Sequence, residues 1–165
     1  MRAAAEQAGV NHRAAYRHFA DKRALLAALA TDGWRRCTAA GQRTMKRATA
    51  TPRAQLDAFV AGFARQALAL PAHLEVMTGP RLNVDGAHPD LEGAIADAMA
   101  LVAAPLVALG HAAGTRATVA GLAVWAALLG ALALVRHQRV RVRPAGRAAL
   151  VATLVAPTLD GLTRR

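Results

Sequence analysis

Apolar positions recur at helical spacing along most of the chain. Leu25, Leu26, Leu29, Trp34, Cys37 and Met45 belong to the inner face of a segment at residues 22–47, and Arg35, Arg36, Arg43, Lys46 and Arg47 to its solvent face. Such recurrence predicts an amphipathic helix. Asp21 stands where an N-cap is needed, while Gly33 and Gly41 weaken the helix interior. Residues 49–52 read as a break. Pro52 then opens the next helix, because the first helical position needs no N–H. Leu56, Phe59, Val60, Phe63, Ala67 and Leu70 keep the spacing, and Pro71 starts a short piece bearing Leu74, Val76 and Met77. Residues 79–89, rich in turn formers, predict a loop carrying Arg81, Asn83, Asp85 and His88. Leu91, Ile95, Met99, Val102, Leu106 and Leu109 mark a further helix, with a kink expected near Pro105 and a glycine break at 110–114.

Residues 117–135 form a run of nineteen without a charge, bounded by Arg116 and Arg136. About 20 apolar residues suffice to cross a bilayer. A helix buried on nearly all sides has the same pattern, and burial is the reading taken here. A basic connector, residues 136–147, leads to the last helix at 145–162, where Leu150, Val151, Leu154, Val155, Thr158, Leu159 and Leu162 form a wide apolar stripe. Alanine dominates and no useful stretch alternates with strand period, so the fold class is all-α.

The N-terminal stretch 8–26 reads AGVNHRAAYRHFADKRALL. Gly9 lies between two short helical segments, where a tight turn needs positive φ. Asn11 can cap the second, residues 12–18, which carries Arg13, Tyr16, Arg17 and His18; Phe19 closes its inner face. Two helices joined by a short glycine-containing turn make a helix-turn-helix unit. The pattern A-G-V-x5-Y-R-H-F-x-x-K-x-x-L-L, over about residues 2–29, resembles the DNA-binding segment of the TetR family of bacterial transcriptional regulators. The resemblance implies a head with its linker helix at 1–46 and a ligand-sensing, dimerising helical body at 47–165. The family has one more head helix ahead of Arg2, and an in-frame upstream stretch is expected to supply it.

By the same resemblance, helix 12–18 enters the major groove. Arg13 is the expected base reader, since a guanidinium can bond bidentately to guanine. Asn11, His12 and Ala14 flank it, and Ala14 can meet only a thymine methyl. Tyr16, His18 and Lys22 fall at phosphate-gripping positions, Arg17 can do either, and Arg2 can reach a base or a phosphate. Phosphate grips set register and base contacts set sequence. The last two long helices, 116–135 and 145–162, are the implied homodimer surface.

Charge changes the picture through its distribution. The net charge is +11. Residues 1–53 hold eleven Lys/Arg against three acids, residues 54–135 three against six, and residues 136–165 seven against one. A basic head beside a mildly acidic body is the footprint of a nucleic-acid binder. The single Cys37 excludes an intramolecular disulfide framework and fits a cytoplasmic protein. No signal peptide is evident, and no membrane partner is expected.

The six histidines show no i, i+4 pair, so no metal site and no cofactor are expected. No phosphate loop or nucleophile elbow appears, so no enzyme is expected. Phe59, Phe63, Met77, Met99 and Trp125 are candidates to line an apolar ligand cavity, with Arg81 or His88 anchoring a polar end. The expected function is a repressor released from a palindromic DNA operator by a small apolar molecule. The alternative is a dimeric small-molecule-binding or scaffold protein that no longer grips DNA.

Overall fold

The computed structural model describes residues 19–48, 51–111, 115–139 and 143–163. The expected contacts Arg2, Asn11, His12, Arg13, Ala14, Tyr16, Arg17 and His18 lie outside them, as does the turn at Gly9. The described residues form six α-helices and no strand: α1 Lys22–Met45, α2 Pro52–Ala69, α3 Pro71–Met77, α4 Pro89–Ala108, α5 Thr115–Arg136 and α6 Arg147–Thr163. The last helix starts at Arg147 rather than at the expected Ala145, because Pro144–Gly146 winds as a 3-10 turn ahead of it.

Each helix begins or ends where local chemistry dictates. Asp21 is extended and its Oδ1 accepts from the Ala24 N–H at 2.7 Å, satisfying an orphan donor of the first turn of α1. Thr51 does the same for Ala54, ahead of Pro52. At the end of α4, Gly110 takes φ 87°, and the N–H groups of Gly110 and His111 return to the carbonyls of Val107 and Leu106. Such a left-handed cap satisfies carbonyls that the helix leaves open. The end of α5 has the same pattern with Gln138 at φ 52°, a position that favours glycine.

α1 runs unbroken through Gly33 and Gly41. A Cβ at Gly33 would stand 2.7 Å from Met77 Sδ, and one at Gly41 2.6 Å from Phe59 Cδ2. Both are therefore points of close approach, where the cost in helix propensity is outweighed by packing. Gly62 of α2 faces Thr44 in the same way, and the Thr44 hydroxyl reaches the Ala58 carbonyl of α2 at 2.6 Å.

One contiguous core joins α1, α2, α4, α5 and α6, with Leu56, Phe59, Phe63, Leu106, Leu128 and Leu159 fully enclosed. α1 packs on α2 and α4, and α6 on α2 and α5. The ends are tied by polar contacts: Arg53 of α2 binds Asp57 at 2.9 Å and also Asp160 of α6, and His111 Nε2 donates to the Leu162 carbonyl at 2.8 Å. α4 and α5 are each long and apolar enough to cross a membrane by length and composition. α5 buries Val124, Trp125, Leu128, Leu132 and Val135, but its other face leaves Val119, Leu122 and Leu134 exposed. Burial on nearly all sides, expected from its composition, is thus not achieved within one chain.

Candidate functional site

Of the expected DNA contacts, Lys22 alone falls among the described residues. It is exposed at the first position of α1, immediately after the Asp21 cap. The cap fixes where α1 starts.

The next residue, Arg23, ties this end of α1 to the body. Its Nη2 lies 2.5 Å from Asp85 Oδ2 in the loop between α3 and α4. The Arg23 hydrogen bond, helped by the Ala87 N–H, holds the Asp85 carboxyl below the usual carboxylate range. The loop itself is organised by Asn83, which is 4% exposed. Its Nδ2 donates to Glu92 Oε1 at 3.1 Å, its Oδ1 accepts from the His88 N–H at 2.9 Å, and its carbonyl accepts from Arg81 Nε at 2.9 Å. The sequence marks Asn83 only as a turn former; nothing in the spacing announces that it is buried and fully bonded.

Further along α1, Asp32 accepts from Arg36 Nε at 2.7 Å and pairs with His73 Nε2 of α3 at 3.0 Å. The Arg36 hydrogen bond, opposed by burial and aided by His73, holds the Asp32 carboxyl below its ordinary range. Cys37 is completely enclosed, and burial pushes its thiol up to about 12. A thiol so poised carries no thiolate at neutral pH and does not act as a nucleophile. Among the described residues, no group of three His, Cys, Asp or Glu side chains is placed to hold a metal ion.

The candidate ligand residues are distributed over three places. Phe59, Phe63 and Trp125 pack with Trp34 into one ring cluster, with centroids 5.1 to 5.8 Å apart. Trp125 meets the Phe59 and Phe63 rings edge-on, at 81° and 78°. Such pairs contribute about 0.5–1.5 kcal/mol each beyond simple burial. Met77 and Arg81 line a small cleft of about 100 Å³ beside Trp34, closed by Leu82 and Ile95. His88 lines a different cleft of about 300 Å³, between the first three turns of α1 and the start of α4. Leu91 forms a wall of both clefts. Met99 is half-buried on α4, packed against the core. The structure therefore groups Phe59 with Phe63 and Trp125, groups Met77 with Arg81, and sets His88 apart. Trp34, which the sequence places only on the inner face of its helix, links the ring cluster to the smaller cleft.

On the far side of the body, α5 and α6 present uncovered apolar side chains. Val119 is 60% exposed and Leu122 56%, with Leu134 and Leu154 also open. Gly121, Gly130 and Gly161 of the same two helices have open space where a Cβ would stand. Large apolar side chains left open on two neighbouring helices are the kind of surface that another molecule can cover.

Residues 1–29 match the family described as bacterial regulatory proteins, tetR family. No curated protein matches the chain in sequence. In fold, the chain is similar to a protein with unknown function from Rhodococcus sp. RHA1, at 28% identity and a TM-score of 0.71, over 99% of this chain and 84% of that one. It is also similar to the TetR family transcriptional regulator PfmR from Thermus thermophilus, at 22% identity and a TM-score of 0.66, over 97% of this chain and 87% of that one.

Proposed function

We propose, for a chain that belongs to the TetR family of bacterial transcriptional regulators, that it is a cytoplasmic repressor whose grip on a palindromic operator is released by a small molecule. The observation that carries this reading is the tie between Arg23 and Asp85, which joins the head-bearing end of α1 to the loop beside the clefts. A ligand that prefers one spacing of α1 and this loop shifts the population of head positions by its differential affinity. Two copies associate through the uncovered faces of α5 and α6 and carry two recognition helices into successive major grooves. Arg13 reads a base, with Arg2, Asn11, His12, Ala14 and Arg17 near it, and Tyr16, His18 and Lys22 grip phosphates. Met77, Arg81 and His88 are the effector-side candidates whose clefts lie open. Phe59, Phe63 and Trp125 pack on one another and Met99 packs against the core, so none of the four lines either cleft. Family regulators of this kind are generally not enzymes, and no cofactor is invoked.

The test is DNA binding by the protein, with any in-frame upstream segment included, over a salt series against operator and scrambled duplex. Arg13→Ala is expected to relax preference at one base pair per half-site, at about 1–3 kcal/mol. Lys22→Ala is expected to weaken all sequences alike and to flatten the salt dependence. Absence of any sequence preference near its own or neighbouring genes would overturn the repressor reading in favour of a ligand-binding or scaffold dimer.

A further inference from the structure

We propose that the cleft between α1 and the start of α4 binds a small amphipathic carboxylate, with an apolar body of one or two fused rings. The inference rests on the reading that a small molecule governs this protein, and it names where that molecule sits and what chemistry it carries. Four packed rings occupy the middle of the body, so the open volume lies on its flank. The cleft holds about 300 Å³, the lower end of the range for ligand pockets. One wall is the i, i+3, i+4, i+7 face of α1 at Ala24, Ala27, Ala28 and Thr31, and the other is Pro89 and Leu91. Small side chains on one wall and a ring and a leucine on the other leave a slot suited to a flat apolar body.

The rim decides the charge of the occupant. Four charged or titratable side chains line it: Asp32, Arg35, His88 and Asp90. Asp32 is already held by Arg36 and His73. Asp90 is 86% exposed and stands 3.8 Å from Arg35, too far for a hydrogen bond. The Arg35 guanidinium therefore keeps its planar fork for a carboxylate, which it can bind bidentately. His88 Nε2 is buried with no hydrogen-bond partner, although the His88 backbone N–H is committed to Asn83. A buried polar atom left without a partner is rare enough to require an explanation.

The experiment is titration calorimetry of the full chain with 2-naphthoate, using 2-naphthamide and 2-naphthylmethylamine as neutral and cationic comparators. No DNA is present, so failure here is separate from failure of the repressor reading. Naphthoate is expected to bind once per chain, about tenfold or more tighter than the amide. Ala28→Trp, a substitution at an exposed position that fills the slot, is expected to abolish binding, and Arg35→Ala to weaken it about tenfold or more. The proposal is overturned if naphthoate does not bind, if the amide or the amine binds as tightly, or if Ala28→Trp leaves binding unchanged.

Discussion

Arg23 Nη2 lies 2.5 Å from Asp85 Oδ2, and this pair joins the first turn of α1 to the loop between α3 and α4. The side chains are 43% and 49% exposed. An ion pair so open to solvent adds little to stability. Its value lies in position, because it holds the loop from the α1 side while Asn83 holds it from the α4 side.

Asp85→Asn is therefore expected to leave Tm nearly unchanged while amide exchange at residues 84–88 speeds up. The charge goes, and the loop loses the tie to α1 that this pair provides. Unchanged exchange would show that Asn83 alone holds the loop, and that the tie cannot carry a signal to the head.

Gly41→Ala and Gly62→Ala are expected to destabilise by about 1–3 kcal/mol, against the ordinary helix preference for alanine. At Gly41 the new methyl meets the Phe59 ring; at Gly62 it meets Thr44 and the Ala40 carbonyl. Gly93 of α4 is the control, since nothing lies within 4 Å of a Cβ there. Gly93→Ala is expected to stabilise by up to about 1 kcal/mol. Urea denaturation of the three variants checks both signs.

These glycines show what the sequence can and cannot convey. Asp21, Pro52 and Pro71 act locally, through capping and fixed φ, and their helix starts are legible residue by residue. Gly33 and Gly41 read locally as weak points in a helix. Their meaning comes from Met77 and Phe59, which are distant in sequence. The loop at 79–89 was legible from its turn formers, but the bonds of Asn83 to Glu92 and His88 were not. The apolar candidates for a ligand cavity are legible only as residue types, and type does not say whether Phe59, Phe63 and Trp125 face a space or one another. Arg23 carries no local signal, because its partner lies in a loop 62 residues away.

Gln138→Gly is expected to stabilise by about 1 kcal/mol. Gln138 sits at φ 52° in the cap that ends α5, with its N–H returned to the Val135 carbonyl at 3.3 Å. A residue with a Cβ pays about 1–2 kcal/mol in this region of the backbone and glycine does not, though glycine loses more entropy on folding. Thermal and urea unfolding should both move upward; a fall would mean that the Gln138 side chain contributes more than its exposed position suggests.

Asp32 gives a pH dependence whose sign is fixed. Its folded pKa is depressed by the Arg36 hydrogen bond, so the unfolded chain binds the proton more readily. The contribution to stability is fully present above the unfolded value of about 4, and is lost as pH falls through the lower folded value. Because the Asp32 side chain is still 44% exposed, solvent screens the interaction and the effect is about a few tenths of a kcal/mol. Between pH 6 and pH 3 the unmodified protein is expected to lose more stability than Asp32→Asn, which has no carboxyl to protonate. Parallel losses in the two proteins would mean that the Arg36 bond does not persist in solution.

The faces of α5 and α6 carry the last prediction. Val119 and Leu122 lie one helical turn apart on α5 and are 60% and 56% exposed, and Leu154 of α6 is open as well. An arginine at the centre of such a face would have to be buried unpaired in a symmetric dimer, and it would meet its own copy across the two-fold axis. Leu122→Arg is therefore expected to sediment as a monomer at micromolar concentration, and the unmodified protein as a dimer. Val84→Arg is the control: Val84 is 67% exposed in the loop between α3 and α4, and the variant is expected to remain dimeric. The monomeric variant should also lose most of its operator affinity while keeping its fold by circular dichroism, because two half-sites require two heads. A dimeric Leu122→Arg would place the interface elsewhere, and a monomeric unmodified protein would leave the apolar face without a second copy to cover it.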